Sequence, residues 1–333
     1  MRRGMSNKFF ILSCIVFLLF MGCGNTTSSE SSVSGADSVP AMPEFNADSA
    51  YSFVERQCTF GPRVPGTDAH AECLTWMVSE FRRFGADTVL VQEGSAKIYN
   101  GVTKPVRNVI VSFNLASDRR LLFCAHWDSR PFADNELLAE NRKRAILGAD
   151  DGASGVGVLM ELARILGSNP PSVGVDIIFF DLEDWGAPEW EHSVLPNGED
   201  WCLGSRYWAL HRHVPGYRPE YAVLLDMVGG NDERFYREYF SERNAKWLND
   251  LVWGQASDLG FSSRFVNELG GAITDDHLPL YDIASIPSID IVAFSQNRDN
   301  GFPEYWHTLG DDMSNISKST LSDVGTLIVS LIY

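Results

Sequence analysis

Apolar residues follow two different periods along this chain, and the pattern predicts strands interleaved with helices. Short β-branched and aromatic runs are typical of strands, whereas apolar residues at every third or fourth position are typical of amphipathic helices. The predicted strands are Val89–Gln92, Val109–Phe113, Leu121–Ala125, Val175–Phe180, Ala222–Leu225 and Ile286–Val292. The predicted helices are Ala47–Phe60, Thr67–Phe84, Val156–Leu166, Leu203–Leu210, Glu242–Leu259 and Leu321–Ile332. This alternation predicts an α/β fold with a mixed, mostly parallel sheet and helices on both faces.

Potential ligands stand directly after several predicted strands. Glu183 and Asp184 follow the apolar strand Val175–Phe180, His126 follows another strand, and Asp226 follows a third. In open α/β sheets ligands bind at the carboxyl ends of the strands, so we expect these side chains to meet in one crevice. Adjacent residues leave a strand in different directions. One of Glu183 and Asp184 can therefore bind a metal while the other moves protons.

Two glycine-rich loops carry further acids, and a third loop carries a histidine. Asp150 and Asp151 precede a predicted helix, where we expect one of them to cap the helix and the other to bind a metal. Asp275 lies in the second glycine-rich loop, and His307 lies near the C-terminus. Carboxylates and imidazoles together suit zinc, and a catalytic zinc keeps three protein ligands and one open position. This pattern indicates a hydrolase or an acyl-transfer enzyme.

The N-terminal residues differ in composition from the rest of the chain. Basic residues precede a short apolar run, which predicts a signal peptide over residues 1–22. Phe20-Met21-Gly22-Cys23 resembles a bacterial lipobox, with Cys23 as the lipidated residue. An ordinary secretory peptide with an incidental Cys23 is the alternative. We predict a lipidated, disordered tether over residues 23–45 and one domain over residues 46–333. The expected location is a bacterial membrane, the outer one, facing the periplasm.

Charge and motif content exclude several function classes. The net charge is −17 over 333 residues, which argues against a nucleic-acid surface. The glycines after Asp151 lack the G-x-G-x-x-G order and no phosphate loop is present, so a nucleotide is not an expected ligand. Gly-x-Ser-x-Gly is also absent, which leaves a serine nucleophile without support. The pairing of the domain cysteines stays open; they are Cys58, Cys73, Cys124 and Cys202.

Taken together, the motifs resemble the zinc aminopeptidase family, which has the phosphorylase/hydrolase-like fold. They are His126-Trp127-Asp128, Gly148–Gly155, Phe179–Asp184, Leu225-Asp226-Met227 and Trp306-His307-Thr308. Within that family the chain is most similar to glutaminyl cyclases, because it contains Asp275-Asp276-His277, Trp306 before His307, and Phe302-Pro303-Glu304. The likeness extends from about Tyr51 to the C-terminus. It implies a three-layer fold with a mixed, mostly parallel sheet.

The resemblance also implies residue roles and one zinc ion per chain. Its zinc ligands would be Asp151, Asp184 and His307. Glu183 would be the general acid/base. Asp226 and Asp275 match the hydrogen-bonding acids of the cyclase pattern. The residues that contact substrate would be Trp306, Phe302 and Ile273. Two residues depart from the animal cyclases, which have Glu in place of Asp184 and His in place of Asp290. The loop Ser295–Gly301 is also longer here.

The implied reaction is cyclisation of the N-terminal glutamine of a peptide or protein to pyroglutamate, with release of ammonia. Peptides or proteins with N-terminal glutamine would be the substrates, and the lipid anchor would provide the membrane contact. A two-zinc aminopeptidase is the main alternative, in which His126 and Asp226 bind a second ion and Asp151 bridges the two. An inactive lipoprotein that binds peptide termini is another.

Overall fold

A six-stranded mixed sheet lies at the centre of the computed structural model, which describes residues 42–196 and 199–333. Across the sheet the strands are β1 (Thr88–Lys97), β2 (Thr103–Phe113), β4 (Gly174–Phe180), β3 (Arg120–His126), β5 (Ala222–Asp226) and β8 (Ser288–Val292). Strand β2 pairs antiparallel with β1 and with β4. Strands β4, β3, β5 and β8 are parallel, so the mixed, mostly parallel sheet is confirmed.

Helices cover both faces of this sheet, as the alternating pattern predicted. They are α1 (Ala47–Thr59), α2 (Asp68–Arg83), α3 (Ala153–Ser168), α4 (Leu203–Leu210), α5 (Tyr239–Asp258), α6 (His277–Asp282) and α7 (Lys318–Ser330). The larger core cluster joins α1, α2, α3, α5 and α7 to one face of the sheet, and a smaller cluster joins α4 and α6 to the other. Successive strand residues alternate between them: Phe179 lies in the larger cluster and Phe180 in the smaller.

The ends of two helices show how the local sequence acts. Thr67 caps α2 because its hydroxyl accepts the His70 N–H, and Gly85 follows the helix with a positive φ of 84°. The predicted aspartate cap of α3 is wrong. Gly152 precedes that helix without a side-chain cap, and the Asp150 carboxylate instead accepts the Gly229 N–H and the Tyr305 hydroxyl.

Short elements escaped the sequence-based prediction. Strands β6 (Phe235–Arg237) and β7 (Phe265–Leu269) form a parallel pair beside the main sheet, and Met313–Asn315 forms a 3₁₀ turn. Helix α6 begins directly after the acidic pair Asp275-Asp276. These elements contain three to six residues, too few to show a helical or strand period.

The predicted signal peptide, Cys23 and most of the predicted tether lie outside the described residues. The tether prediction extends too far at its end, because Phe45 is only 6% exposed and belongs to the larger core cluster. Its ring occupies the space above Gly325 of α7, where a Cβ atom would lie 2.2 Å from the ring. All four domain cysteines are free thiols. Among the described residues, no helix is long and apolar enough to cross a membrane.

Candidate functional site

The parallel strands bring the predicted site residues to one edge of the sheet. His126 is the last residue of β3, Asp226 is the last residue of β5, and Glu183 and Asp184 follow β4 within four residues. Asp151 lies in the turn before α3. Because β3, β4 and β5 run in the same direction, these residues share the carboxyl edge.

Asp151, Asp184 and His307 form a buried set of potential metal ligands. One ligand atom from each lies within 4.8 Å of the others, and His307 Nε2 is 3.3 Å from Asp184 Oδ1 and 3.6 Å from Asp151 Oδ2. The Oδ2 atoms of both aspartates are buried and have no hydrogen-bond partner. Buried carboxylate oxygens are costly without a partner, and a divalent cation would provide one. Two carboxylates and one imidazole fit zinc with an open position.

A second set of potential ligands shares Asp151. His126 Nε2 lies 2.9 Å from Asp151 Oδ1 and 3.2 Å from Asp226 Oδ1, while its Nδ1 lies 3.5 Å from Asp128 Oδ1. Burial lowers the pKa of His126, but hydrogen bonds that its ring donates to Asp128, Asp151 and Asp226 outweigh burial and raise the pKa well above its usual value. A protonated His126 would satisfy both carboxylates, and a neutral His126 could ligate a second ion beside them.

Glu183 belongs to a third buried group of side chains, next to Asp184 of the first set. One ligand atom each of Glu183, Asp275 and Cys202 lies within 4.8 Å of the others, and Cys202 Sγ is 3.3 Å from Glu183 Oε1. Burial raises the pKa of Glu183 well above its usual range, and the negative charge of Asp275 raises it further. The Asp128 carboxylate accepts the Glu183 N–H at 3.2 Å, which fixes the turn after β4. Glu183 is therefore a buried acid with a raised pKa, held in a defined position by its backbone.

Another buried acid, Asp311, stabilises the turn that carries Asp151 by accepting hydrogen bonds from its backbone. Asp311 accepts the N–H groups of Asp150 and Asp151, at 2.7 Å and 3.2 Å. The Tyr305 hydroxyl, two residues before His307, donates to Asp150 at 2.7 Å. These bonds connect the turn before α3 to the loop before α7, so two of the potential zinc ligands are held in one network.

Two tryptophan rings lie nearly parallel to the His307 imidazole. Trp306 stacks on it with ring centroids 3.7 Å apart, and Phe302 packs on Trp306 at 4.4 Å. Trp201 lies parallel to the imidazole at 6.2 Å and 7°. Ile273 is buried in the larger core cluster, against which Trp306 and Phe302 also pack. The predicted substrate-contacting residues thus lie beside the ligand set or in the core behind it.

Sequence reasoning missed four residues that surround the site. Their only sequence signal is the density of aromatic and charged residues in the loops after β3 and β4, which does not single out any one position. The structure adds Arg130, Asp134, Trp201 and Cys202. Each of them reaches a site residue that is at least 19 positions away in sequence.

The predicted departure at Asp290 lies in the interior of the protein. Asp290 is fully buried on β8, with Oδ2 3.8 Å from His277 Nδ1 and with neither carboxylate oxygen hydrogen-bonded. Burial raises the pKa of Asp290 well above its usual range, and the charge of Asp275 acts in the same direction. Asp290 is therefore a buried acid whose ionisation is disfavoured.

Three comparisons with known proteins agree with this geometry. Residues 108–332 match the model of peptidase family M28. The chain is similar to a Zn-dependent exopeptidase from Parabacteroides distasonis (46% identity, TM-score 0.86) and to the Bacteroides thetaiotaomicron glutaminyl cyclase solved with N-acetylhistamine (43%, TM-score 0.85). Each alignment covers 88% of this chain and 99% of the other. The glutaminyl-peptide cyclotransferase of Bos taurus is 25% identical over 297 residues, which are 80% of this chain and 76% of that protein.

Proposed function

The chain belongs to peptidase family M28, and we propose that it is a glutaminyl cyclase. Its reaction is the closure of an N-terminal glutamine of a peptide or protein to pyroglutamate, with release of ammonia. The observation that carries the proposal is the grouping of buried Glu183 with Asp275, directly beside Asp184 of the potential zinc ligands. The similarity to the glutaminyl cyclases of Bacteroides thetaiotaomicron and Bos taurus supports the same reaction.

The residues Asp151, Asp184 and His307 would hold one zinc ion. When bound, zinc supplies a Lewis acid that polarises the γ-amide carbonyl of the substrate glutamine. Asp151 Oδ2 and Asp184 Oδ2, both buried and without hydrogen bonds, are the oxygens free to bind it. The Trp306 ring stacks on the His307 imidazole, and the Trp201 ring lies parallel to it at 6.2 Å.

Glu183 moves the proton that the reaction transfers. The substrate α-amine attacks the γ-amide carbon, so one C–N bond forms and the bond from that carbon to the amide nitrogen breaks. Glu183 accepts the proton that the amine loses and returns it to the leaving nitrogen, which departs as ammonia. Burial and the charge of Asp275 raise the pKa of Glu183 and so strengthen it as a base. Because nucleophile and electrophile belong to one residue, the protein supplies orientation and not a covalent intermediate.

Trp306 and Phe302 orient the substrate side chain beside the ligand set, with Ile273 behind them. Asp226 and Asp275 accept hydrogen bonds from the α-amine near Glu183, and the amine attacks in its neutral form. The net charge of −17 favours the approach of peptides whose N-terminus is cationic in solution. The proposed substrates are therefore peptides or proteins that begin with glutamine.

A two-zinc aminopeptidase is the second candidate function. The observation that favours it is the set His126, Asp151 and Asp226, whose ligand atoms also lie within 4.8 Å of one another. We propose that only the first set binds zinc, one ion per chain, and that His126 Nε2 contacts Asp151 and Asp226 directly, at 2.9 Å and 3.2 Å. Asp275 beside Glu183 and Trp306 on His307 match the cyclase pattern and not the aminopeptidase pattern.

The deciding experiment compares products from one peptide with N-terminal glutamine. A cyclase releases ammonia and leaves a peptide of unchanged length, whereas an aminopeptidase releases free glutamine. A chelator should abolish ammonia release, and metal analysis of the restored protein should give close to one zinc per chain. Release of free glutamine together with two activity-linked zinc ions would establish the aminopeptidase instead.

We also propose that the chain is exported and attached by a lipid on Cys23 to a bacterial membrane, the outer membrane, with the domain in the periplasm. The lipobox-like Phe20-Met21-Gly22-Cys23 and the polar residues after it support this location. Cell fractionation tests it, since Cys23→Ala should move the enzyme from the membrane fraction to the soluble one.

A further inference from the structure

We propose that the buried ion pair Arg130–Asp134 positions two of the three zinc ligands, Asp184 and His307, and thereby sets the affinity of the site for zinc. This inference rests on the ligand set of the proposed function. Neither residue needs to touch substrate in this role. Both are almost fully buried, with exposures of 1% and 3%.

The Arg130 guanidinium connects Asp134 to the first of these ligands. Its Nε and Nη2 donate to the two carboxylate oxygens of Asp134, at 2.7 Å and 2.5 Å. Its Nη1 donates to both the backbone oxygen and Oδ1 of Asp184, each at 3.1 Å. Asp184 is therefore held at its main chain and at one carboxylate oxygen, which leaves Oδ2 for the metal.

Asp134 acts on the second ligand from the other side of the pair. Its Oδ1 lies 3.4 Å from His307 Nδ1, so it can accept the Nδ1–H and direct Nε2 towards Asp151 and Asp184. Carboxylates in this position fix both the tautomer and the ring orientation of a metal-binding histidine. One ion pair thus orients one carboxylate ligand and one imidazole ligand.

The length of Asp184 explains why such support matters here. Animal cyclases have Glu at this position, and an aspartate has one methylene fewer with which to reach a metal. The position of the shorter Asp184 side chain must therefore be fixed more accurately by the residues around it. Two bonds from one planar guanidinium to the backbone and the side chain of Asp184 provide that placement.

The same segment also fixes the aromatic wall of the site. Arg130 Cζ lies 4.8 Å from the centre of the Trp201 ring, which is parallel to the His307 imidazole. Asn135 donates its backbone N–H to His307 O at 3.1 Å and its side-chain amide to Trp306 O at 3.2 Å. The segment that contains the ion pair therefore contacts the backbone oxygens of His307 and Trp306. It also contacts the Trp201 ring, which lies parallel to the His307 imidazole.

The chain contains a matched control for this ion pair. Arg120 donates through Nε and Nη2 to both oxygens of buried Asp176, at 2.6 Å and 2.7 Å. Arg120 is the first residue of β3 and His126 is the last, so this pair lies roughly 20 Å from the zinc ligands. A lysine in place of either arginine keeps the charge but loses the planar fork.

The test measures zinc affinity by competition with a chromogenic chelator, together with the visible spectrum of the cobalt-substituted protein. Arg130→Lys and Asp134→Asn should each weaken zinc binding by about 10- to 100-fold and alter the cobalt spectrum. Arg120→Lys should lower the melting temperature but keep the zinc affinity and the cobalt spectrum of the parent.

Two results would overturn the inference. Zinc affinity within twofold of the parent, with an unchanged cobalt spectrum, would show that the pair does not position the ligands. Equal zinc loss in Arg120→Lys would show that general destabilisation is the cause. If Arg130→Lys does not fold, Asp134→Asn decides by the same two measurements. A parent chain that binds no zinc would instead refute the proposed function and the ligand set with it.

Discussion

Two neighbouring acids, Glu183 and Asp184, differ in environment more than in chemistry. Burial and the Asp275 charge raise the pKa of Glu183. Burial also disfavours ionised Asp184, but His307 and Arg130 outweigh it and lower the pKa of Asp184. One residue is therefore suited to hold a proton and the other to remain a carboxylate ligand. The contrast arises from the groups that each side chain faces.

Glu183→Gln should separate these two roles. The substitution keeps the shape of the side chain but removes its titratable group, so turnover should fall by roughly a hundredfold or more. Zinc content and melting temperature should stay near those of the parent. Steady-state ammonia release, metal analysis and thermal unfolding measure the three quantities.

The control is Asp184→Ala, which removes a proposed ligand and should lose both zinc and activity, because an open three-ligand site cannot spare one. Normal turnover of Glu183→Gln at saturating zinc, combined with weakened zinc binding, would mean that the two roles are reversed.

Much of the candidate site could be predicted from the sequence, because its residues stand at strand ends and in motifs. Asp151, Asp184 and His307 were named together, and the structure brings them together. The surrounding residues could not be predicted. Arg130 meets Asp184 across 54 positions, and only the parallel pairing of β3 with β4 makes that contact. A cap prediction from local sequence likewise failed at Asp150, because the distant Tyr305 and Gly229 compete for its carboxylate.

At the scale of elements, buried strands were predicted more accurately than exposed ones. Strand β4 is buried along its whole length, and its apolar run predicted it within one residue. Strand β1 extends five residues beyond the predicted Val89–Gln92, as far as Lys97, because its far end is polar and half exposed at the sheet edge. Helix α5 begins three residues before the predicted Glu242, since its cap Glu238 is satisfied by residues far along the chain.

The cap of α5 should make the protein sensitive to acid. Glu238 accepts the N–H groups of Phe240, Ser241 and Ile273, and its Oε2 lies 3.2 Å from His277 Nε2. Burial opposes ionisation, but the His277 contact and these hydrogen bonds prevail and lower the pKa of Glu238 to about 2. A lowered folded-state pKa stabilises the protein above the unfolded pKa, and this contribution disappears as the pH falls through the folded value.

Glu238→Gln should remove this part of the pH dependence. Between pH values of about 5 and about 2 the parent should lose about 3 kcal/mol more unfolding free energy than the variant. Urea unfolding of both proteins across this range gives the difference. Parallel pH profiles for parent and variant would show that Glu238 does not carry the effect, whatever the other carboxylates contribute.

At the scale of the whole molecule, the boundary between tether and domain is where composition misled the prediction. Polar residues surround Phe45, and their average composition indicates disorder over residues 23–45. The last residue of the segment is ordered despite this composition, because the Phe45 ring fills the space above Gly325 on α7. The first turn of α1, capped by Asn46, follows directly. The domain therefore includes Phe45.

This boundary predicts how shortened chains behave. A protein that begins at Met42 should fold, stay soluble and release ammonia at the rate of the full chain, because the removed residues add nothing to the described core. A protein that begins at Asn46 should be less stable by about 3–5 kcal/mol, the usual result of removing a buried phenylalanine. Phe45→Ala in the Met42 protein separates the lost ring from the altered chain start and should cause most of that loss. Chemical denaturation measures all three proteins, and equal stability of the Met42 and Asn46 proteins would return Phe45 to the tether.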